Sequence, residues 1–268
     1  MAHPIVVAVR GPSGSGKTTA VAELSRKRGW ATLDEAFYRL RPRPGLRFAS
    51  QGELRMLELR LLEEEARRYA DARALAARGR PVVADTGFLD PVEYTAGLLL
   101  LGLATPATFR SVVRRARSLA VRRRLGVADL TVHLSVTPRA RAARTAADPA
   151  GHPRVFRARH ESVGRVVSRD LIPSLGRVVP GHVRVVRAVG PPRTVSARIE
   201  TLARRTGPLR DGAASAVRWL DALLSLPAVR ASLAGRPPGR SGRPPSPKPR
   251  RALRPSSARS RGRGPRRG

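Results

Sequence analysis

The sequence predicts an α/β fold in which helices cover both faces of a five-stranded parallel sheet. Strand-like runs alternate with helix-like segments along most of the chain, an order typical of parallel strands joined by crossover helices. The first run, PIVVAVR at 4–10, is apolar without alternation, which indicates a strand buried on both faces. A glycine-rich turn and a helix-like segment follow it directly. Further strands are expected at 30–33, 81–84, 129–136 and 183–189.

Helical patterns fill the intervals between these strands. Residues 50–53 have the S-x-x-E form of a capping box and begin a long helix that Gly79 ends. Thr105 and Pro106 are typical of an N-cap and a first helical position. The predicted helices cover 17–28, 50–78, 91–101, 106–124, 138–147, 191–205 and 212–225, and a partly helical segment extends to about 175.

The composition changes near the C-terminus. We predict one domain over 1–205 with a helical lid at about 138–175, a helical extension over 206–234 and a tail over 235–268. The tail holds 12 of the 53 Lys and Arg residues and no acids, and 31 of its 34 residues are Arg, Lys, Pro, Gly or Ser. Because such a segment buries too little apolar surface to offset its ordering entropy, we expect the basic tail to be disordered.

The net charge of +34 is spread over the whole chain. Without the tail, 41 basic residues still face 19 acidic ones. One interpretation is a field that attracts nucleic acid, with non-specific contact through the basic tail. The other is coding bias, because only three lysines occur and Arg is the default surface cation. The sequence alone leaves both open.

Several function classes lack support in the sequence. The chain has no cysteine, which excludes disulfides, thiolate zinc sites and a cysteine nucleophile. No His falls in a metal-ligand pattern, and no G-x-S-x-G element of a serine hydrolase occurs. No apolar run is long enough to span a bilayer, and no leader pattern opens the chain. We therefore expect a soluble, cytoplasmic protein without membrane contact.

The strongest chemical signal is GPSGSGKT at 11–18, which matches G-x-x-x-x-G-K-[ST]. Glycines let successive backbone N–H groups converge on phosphate oxygens, and the following helix adds its positive N-terminal end. Lys17 is expected to reach the β- and γ-phosphates of ATP, and the Thr18 hydroxyl to ligate Mg²⁺. The residues predicted to bind the nucleotide are Gly11, Ser13, Gly14, Ser15, Gly16, Lys17, Thr18 and Thr19.

Carboxylates follow two of the predicted strands. Asp85 ends an apolar run and is predicted to hold Mg²⁺, directly or through water; capping of the next turn is the alternative. Asp34 and Glu35 follow the second strand. Since ligands of open α/β sheets bind at the carboxyl ends of strands, either could accept the proton of an attacking hydroxyl. A helix-capping or surface role is equally compatible with these two.

Arginines of the predicted lid could stabilise a transferring phosphoryl group. Arg144 and Arg141 are the foremost candidates, although most single arginines of such a chain are solvated. Phe48 and Gln51 could stack on and hydrogen-bond a base, but a hydrophobic staple with a capping neighbour is favoured. The acidic run 63–65 is interpreted as a solvated helix face.

Together these motifs resemble those of P-loop nucleoside and nucleotide kinases, such as thymidylate and deoxynucleoside kinases, among the AAA-type ATP-binding proteins. The segments that carry the resemblance are GPSGSGKTT at 11–19, the acids at 34–35, VVADTGFLDPVEYTAG at 82–97 and HLSVTPRARAAR at 133–144. The resemblance implies a three-layer P-loop NTPase fold with sheet order 2-3-1-4-5. It also implies Asp85 in the acidic position, Tyr94 in the following helix and Arg144 in the lid. Thr86 departs from the pattern, since many of these kinases have Arg there.

The function that the resemblance implies is phosphoryl transfer from Mg·ATP to a small acceptor, a nucleoside or nucleotide. Two alternatives stay open: an ATPase associated with nucleic acid through its basic body and tail, and a nucleotide-binding module with little turnover, suggested by Thr86. A small GTPase is disfavoured, because the chain has no Asn and hence no N-K-x-D element.

Overall fold

A parallel sheet lies at the centre of the protein. The computed structural model describes residues 4–41, 48–146 and 154–235, and within them the sheet has five strands. The strands are β1 (Val6–Arg10), β2 (Ala31–Leu33), β3 (Val82–Asp85), β4 (Leu130–Ser135) and β5 (Val183–Arg187). Their order is β2–β3–β1–β4–β5 and every neighbouring pair is parallel. The fold class, the parallel sheet and the order 2-3-1-4-5 are therefore confirmed.

The register brings chemically active residues to one edge of the sheet. In the β1–β3 pair Val9 lies opposite Asp85, and in the β1–β4 pair Arg10 lies opposite His133. The central strands thus end at the same level. In open α/β sheets this carboxyl edge is where ligands bind.

Helices connect the strands and cover both faces. They are α1 (Lys17–Arg28), α2 (Ala36–Arg39), α3 (Gln51–Ala77), α4 (Asp90–Leu100), α5 (Pro106–Val121), α6 (Pro138–Ala146), α7 (Arg154–Val166), α8 (Ile172–Val178), α9 (Pro192–Arg205), α10 (Gly212–Ser225) and α11 (Pro227–Leu233). A π-helical turn, Val167–Leu171, joins α7 to α8. The long predicted helices are present with small shifts at their ends, whereas the short α2 and α11 were not predicted.

The alternation of β1 divides its side chains between two cores. Val6 and Ala8 pack in the core under α3, α4, α5 and α10, while Val7 and Val9 pack in the core under α1 and α9. All five residues of β1 are buried. This is the burial on both faces that the unbroken apolar run predicts.

The C-terminal helices belong to the same core. On α10, Trp219, Leu220 and Leu223 are fully buried, and on α11 Val229 is fully buried as well. They pack in the core that contains α5 and α8. Residues 212–225 and 227–233 are thus helical and contribute to the core, while the boundaries of the predicted domain, lid and extension stay predictions.

Parts of the sequence predictions fall outside the described residues. These are the tail beyond Gly235 and residues 147–153 of the predicted lid. Of the helices that are described, none combines the length and the apolar composition needed to cross a membrane.

Candidate active site

A cavity of about 640 Å³ opens at the carboxyl edge of the sheet. Its lining comes from the loop after β1, from the segments after β2 and β3, and from α3, α4 and α7. The volume lies in the range of sites that hold small molecules and cofactors. Most of the residues singled out in the sequence lie on or beside its wall.

The loop after β1 has the backbone of a phosphate-binding loop. Gly11, Gly14 and Gly16 all have positive φ, of 145°, 74° and 92°, a region that side chains with a Cβ disfavour. At Gly11 a Cβ would also lie 2.7 Å from both the Leu134 carbonyl oxygen and the Ser15 hydroxyl. Glycine is therefore required there by space as well as by conformation.

Most of the residues predicted to bind nucleotide face the cavity. Gly11, Ser13, Gly14, Gly16, Lys17, Thr18 and Thr19 line it, whereas Ser15 is fully buried. Lys17 Nζ donates to the carbonyl oxygens of Gly11 at 2.9 Å and Pro12 at 3.4 Å, so the ammonium group lies on the loop. Because no side chain caps the start of α1, its first N–H groups are available to an anion.

The oxygen atoms at this end of the cavity fit Mg²⁺. The Thr18 hydroxyl donates to Asp85 Oδ2 at 2.6 Å, while Asp85 Oδ1 is buried without a hydrogen-bond partner. Across the described ranges no cluster of three His, Asp or Glu side chains could hold a metal. Mg²⁺ needs no such cluster, since it binds through one or two protein oxygens together with water and substrate phosphates. Thr18 and Asp85 are thus the residues that would hold it.

The two lid arginines have different surroundings. Arg144 lines the cavity and donates to the Ser15 carbonyl oxygen at 3.1 Å and to the Ala188 carbonyl oxygen at 2.9 Å. Arg141 forms an ion pair with Glu161 of α7 and does not line the cavity. Only Arg144 therefore stands beside the phosphate loop.

The two acids after β2 are also separated by the structure. Glu35 is half-buried and lines the cavity, whereas Asp34 is exposed and lies off its wall. Burial raises the pKa of Glu35 to about 7, helped by the negative charges of Asp90 and Asp85 and opposed by Lys17. The Glu35 side chain makes no capping hydrogen bond to α2, so helix capping does not explain why a glutamate occupies this position. A carboxyl group with such a pKa suits a general base near neutral pH.

The prediction of a solvated face at 63–65 was wrong. Glu64 and Glu65 are 5% and 1% exposed, and Glu65 pairs with the fully buried Arg68. Arg68 also donates to the Asp85 carbonyl oxygen at 2.7 Å, which fixes the end of β3. The error has a physical reason: α3 packs against the sheet and against α4 and α5, so little of this stretch of the helix faces solvent.

A buried ion pair positions α4 against the phosphate loop. Arg10, at the end of β1, binds Glu93 and, at 3.2 Å, Asp90. Arg10 and Glu93 are 5% and 1% exposed. Beside them His133 approaches Ser168 Oγ at 3.0 Å. Burial, with the positive charges of Arg10 and a lysine of the loop, lowers the pKa of His133 to about 4, so this imidazole is neutral at pH 7.

Thr86 has a strained backbone directly after Asp85. Its φ is 69°, and a β-branched residue at positive φ is a genuine outlier that costs roughly 1–3 kcal/mol. The residue is 7% exposed, its hydroxyl has no hydrogen-bond partner, and it lines the cavity. Nothing in the residue pattern predicts this conformation. Strain of this kind is concentrated at functional sites.

The end of the cavity away from the phosphate loop combines aromatic walls with a buried acid. Tyr94 of α4, where the resemblance expects a Tyr, and His160 have ring centroids 4.9 Å apart. The Arg159 guanidinium lies 4.4 Å from the Phe48 ring centroid. Glu58 of α3 is 2% exposed and also lines the cavity. The sequence analysis did not identify Glu58, and its only sequence signal is an acid on the apolar side of a long helix.

Gln51 does not reach the cavity. Its amide oxygen accepts from the Thr105 N–H and the Thr108 hydroxyl, and its amide nitrogen donates to the Leu103 carbonyl oxygen. Gln51 therefore fastens the start of α3 to the loop before α5. Phe48 does line the cavity.

Comparisons with known proteins agree with this architecture. The sequence profile of the AAA domain family matches residues 6–145, more than half of the chain. Among solved structures, the deoxyadenosine kinase of M. mycoides with bound products has a TM-score of 0.55 at 15% identity, over 74% of this chain and 97% of that one. Thymidylate kinase from Candida albicans has a TM-score of 0.53 at 15% identity, over 76% and 93%. The curated proteins give no significant match. The chain therefore belongs to the AAA domain family and has the fold of P-loop nucleoside and nucleotide kinases.

Proposed function

We propose that this protein is a kinase that transfers the γ-phosphoryl group of Mg·ATP to a small acceptor, a nucleoside or nucleotide. One observation carries the proposal: the phosphate loop and the carboxyl groups of Glu35 and Glu58 line the same cavity of about 640 Å³. A donor and an acceptor can thus meet in one enclosed space. Phosphoryl transfer depends mainly on such positioning and on charge stabilisation.

The phosphate loop supplies the donor end. Its N–H groups and Lys17 would bind the phosphates, while Asp85 and the Thr18 hydroxyl that donates to it would hold Mg²⁺. Mg²⁺ supplies positive charge to the phosphate oxygens. Arg144, already fixed against the loop, adds a further positive charge where negative charge develops.

Glu35 supplies the base at the acceptor end. For a nucleoside acceptor, Glu35 accepts the proton of the acceptor hydroxyl as that oxygen bonds to the γ-phosphorus; a nucleotide acceptor attacks through an anionic phosphate oxygen, which has no such proton to lose. The bond from the γ-phosphorus to the bridging oxygen breaks, and ADP leaves with the electron pair. The exposed position of Asp34 and the ion pair of Arg141 argue for Glu35 and Arg144 as the acting members of each predicted pair.

The structural neighbours support the choice of acceptor class. One is a deoxyadenosine kinase solved with bound dATP, at a TM-score of 0.54 and 15% identity over 75% of this chain. The other neighbours described above are the same deoxyadenosine kinase with bound products and a thymidylate kinase. An identity of 15% shows a shared fold and nothing finer. The acceptor class is therefore inferred from the cavity and the fold together.

The test is a product assay with a matched pair of variants. Purified protein is incubated with Mg·ATP and pooled nucleosides, nucleoside monophosphates and simple alcohols, and products are identified by mass spectrometry. Lys17→Ala removes the loop ammonium group. Lys27→Ala is the control, because Lys27 lies on the same helix, is half-exposed and pairs with Glu23.

A phosphorylated acceptor formed by wild type and Lys27→Ala, but not by Lys17→Ala, supports the proposal. Phosphate release without a phosphorylated acceptor contradicts it and favours an ATPase coupled to a macromolecule, for which the basic charge of the chain makes nucleic acid the first partner to test. ATP binding with neither product favours a binding module.

A further inference from the structure

Glu58 is a buried acid with an unused acceptor. Its side chain is 2% exposed, Oε2 has no hydrogen-bond partner, and the residue lines the cavity away from the phosphate loop. A buried polar atom without a partner is costly, and native proteins rarely keep one without a reason. The glutamate sits on a 27-residue helix that is held in place by apolar packing and by other polar contacts, such as those of Gln51 and Arg68, so helix formation does not require it.

The charges around Glu58 favour a ligand that brings a hydrogen-bond donor. Asp90 adds negative charge there and Arg159 adds positive charge, while burial raises the pKa of Glu58 well above its ordinary value. A ligand N–H directed at Oε2 would satisfy the carboxyl group in either protonation state. A ligand carbonyl oxygen is repelled by the carboxylate but could accept a hydrogen bond from the protonated acid, so selection against oxo ligands operates where Glu58 is ionised, the form that the positive charge of Arg159 favours.

The walls near Glu58 suit a flat ring. Phe48 and Tyr94 contribute aromatic side chains, and Leu57, Leu61 and Val163 contribute aliphatic surface. Planar rings pack well against such surfaces. A flat ring and an N–H donor at its edge are therefore the two features that this end of the cavity complements.

We infer that Glu58 selects the acceptor by accepting a hydrogen bond from an amino group on a planar base, so that amino-bearing nucleosides are bound in preference to their oxo counterparts. This inference rests on the proposed kinase function for its link to turnover, but the selection itself is a property of binding. Glu58 acts as a specificity-determining residue and takes no part in the transfer step, which is assigned to Glu35 and the phosphate loop.

The experiment compares pairs in which an oxo group replaces the amino group and the adjacent ring nitrogen gains a hydrogen: cytidine with uridine, and adenosine with inosine, each also as the 5′-monophosphate. Dissociation constants are measured by calorimetry, and kcat/KM with Mg·ATP. The variants are Glu58→Gln and Glu58→Met, with Glu63→Gln as control. Glu63 lies on the same helix and pairs with Arg115, and it does not line the cavity.

We expect wild type and Glu63→Gln to prefer the amino member of at least one pair about 10-fold or more, the effect of leaving a buried charged group unpaired. In Glu58→Gln the preference falls to about 3-fold or less, because the amide can also donate to an oxo group. Glu58→Met loses the preference as well, and thermal melting of both variants checks that they fold.

The outcomes separate this inference from the kinase proposal. Equal use of amino and oxo acceptors by wild type, or a preference that survives in both Glu58 variants, overturns the inference and leaves the kinase standing. Glu58-dependent binding of amino nucleosides without turnover supports the inference while the kinase proposal fails. Absence of binding to every nucleoside and monophosphate overturns the inference too.

Discussion

The most informative perturbation of the proposed chemistry is Glu35→Gln, with Asp34→Asn as its control. The two acids are neighbours in sequence, yet only Glu35 lines the cavity. If Glu35 is the base, its loss lowers kcat by about 10²–10⁴-fold, the usual contribution of general base catalysis. Asp34→Asn should change kcat by less than about 3-fold, since an exposed side chain off the cavity wall contributes little.

The raised pKa of Glu35 gives this prediction a second measurable quantity. A base must be deprotonated to act. With a pKa of about 7, roughly 9% of Glu35 is ionised at pH 6 and roughly 91% at pH 8. The kcat/KM of wild type should therefore rise about tenfold between these pH values. An acid at the ordinary value of 4.5 would be almost fully ionised throughout, and the profile would be flat.

The assay is kcat/KM against pH, from pH 5.5 to 8.5, with the acceptor found in the product screen. Wild type and Asp34→Asn should share a limb that rises with pH through about 7, because kcat/KM reports the free enzyme. Glu35→Gln should lose that limb together with its activity. Near-normal activity in Glu35→Gln, or the same limb in its residual activity, would refute the assignment of the base.

Three further predictions concern the metal, the lid and the fold. Asp85→Asn should raise the Mg²⁺ concentration needed for half-maximal ATP binding about 10-fold or more, because the substitution removes the negative charge that would hold Mg²⁺ directly or through water. A magnesium titration of nucleotide binding measures this. Arg144→Ala should lower kcat about 10²-fold or more, whereas Arg141→Ala should stay within about 5-fold; steady-state kinetics of both variants separate these outcomes. Arg10→Met should lower the free energy of unfolding by about 3–5 kcal/mol, since Glu93 is then buried unpaired, and adding Glu93→Leu should recover most of the loss, as urea unfolding would show.

Much of the fold could be predicted because its signals are local. The unbroken apolar run of β1, the glycine-rich turn and the start of α1 lie within 25 consecutive residues, and their spacing is enough to place the phosphate loop. The side-chain alternation of the strands and the caps of the long helices are equally local. The sheet order came from the resemblance to known kinases, and it is confirmed.

The parts that could not be predicted depend on contacts between distant residues. Arg10 and Glu93 are 83 positions apart, and no pattern in either segment indicates that they meet. Glu65 looks like a surface acid, because a helical period does not tell how many sides of a helix are covered. Arg144 reaches the phosphate loop and Arg141 does not, because of how α6 lies against that loop. The sequence spacing of the two arginines does not reveal this arrangement.

The fate of the γ-phosphoryl group tests the central claim most directly. With γ-labelled ATP, Mg²⁺ and the acceptor in excess, a single turnover is stopped over time, and the label is separated into acceptor phosphate and inorganic phosphate. We expect most of the label in the acceptor for wild type and none there for Lys17→Ala. Label that appears as inorganic phosphate at the same rate with and without acceptor would contradict the assignment of this protein as a kinase.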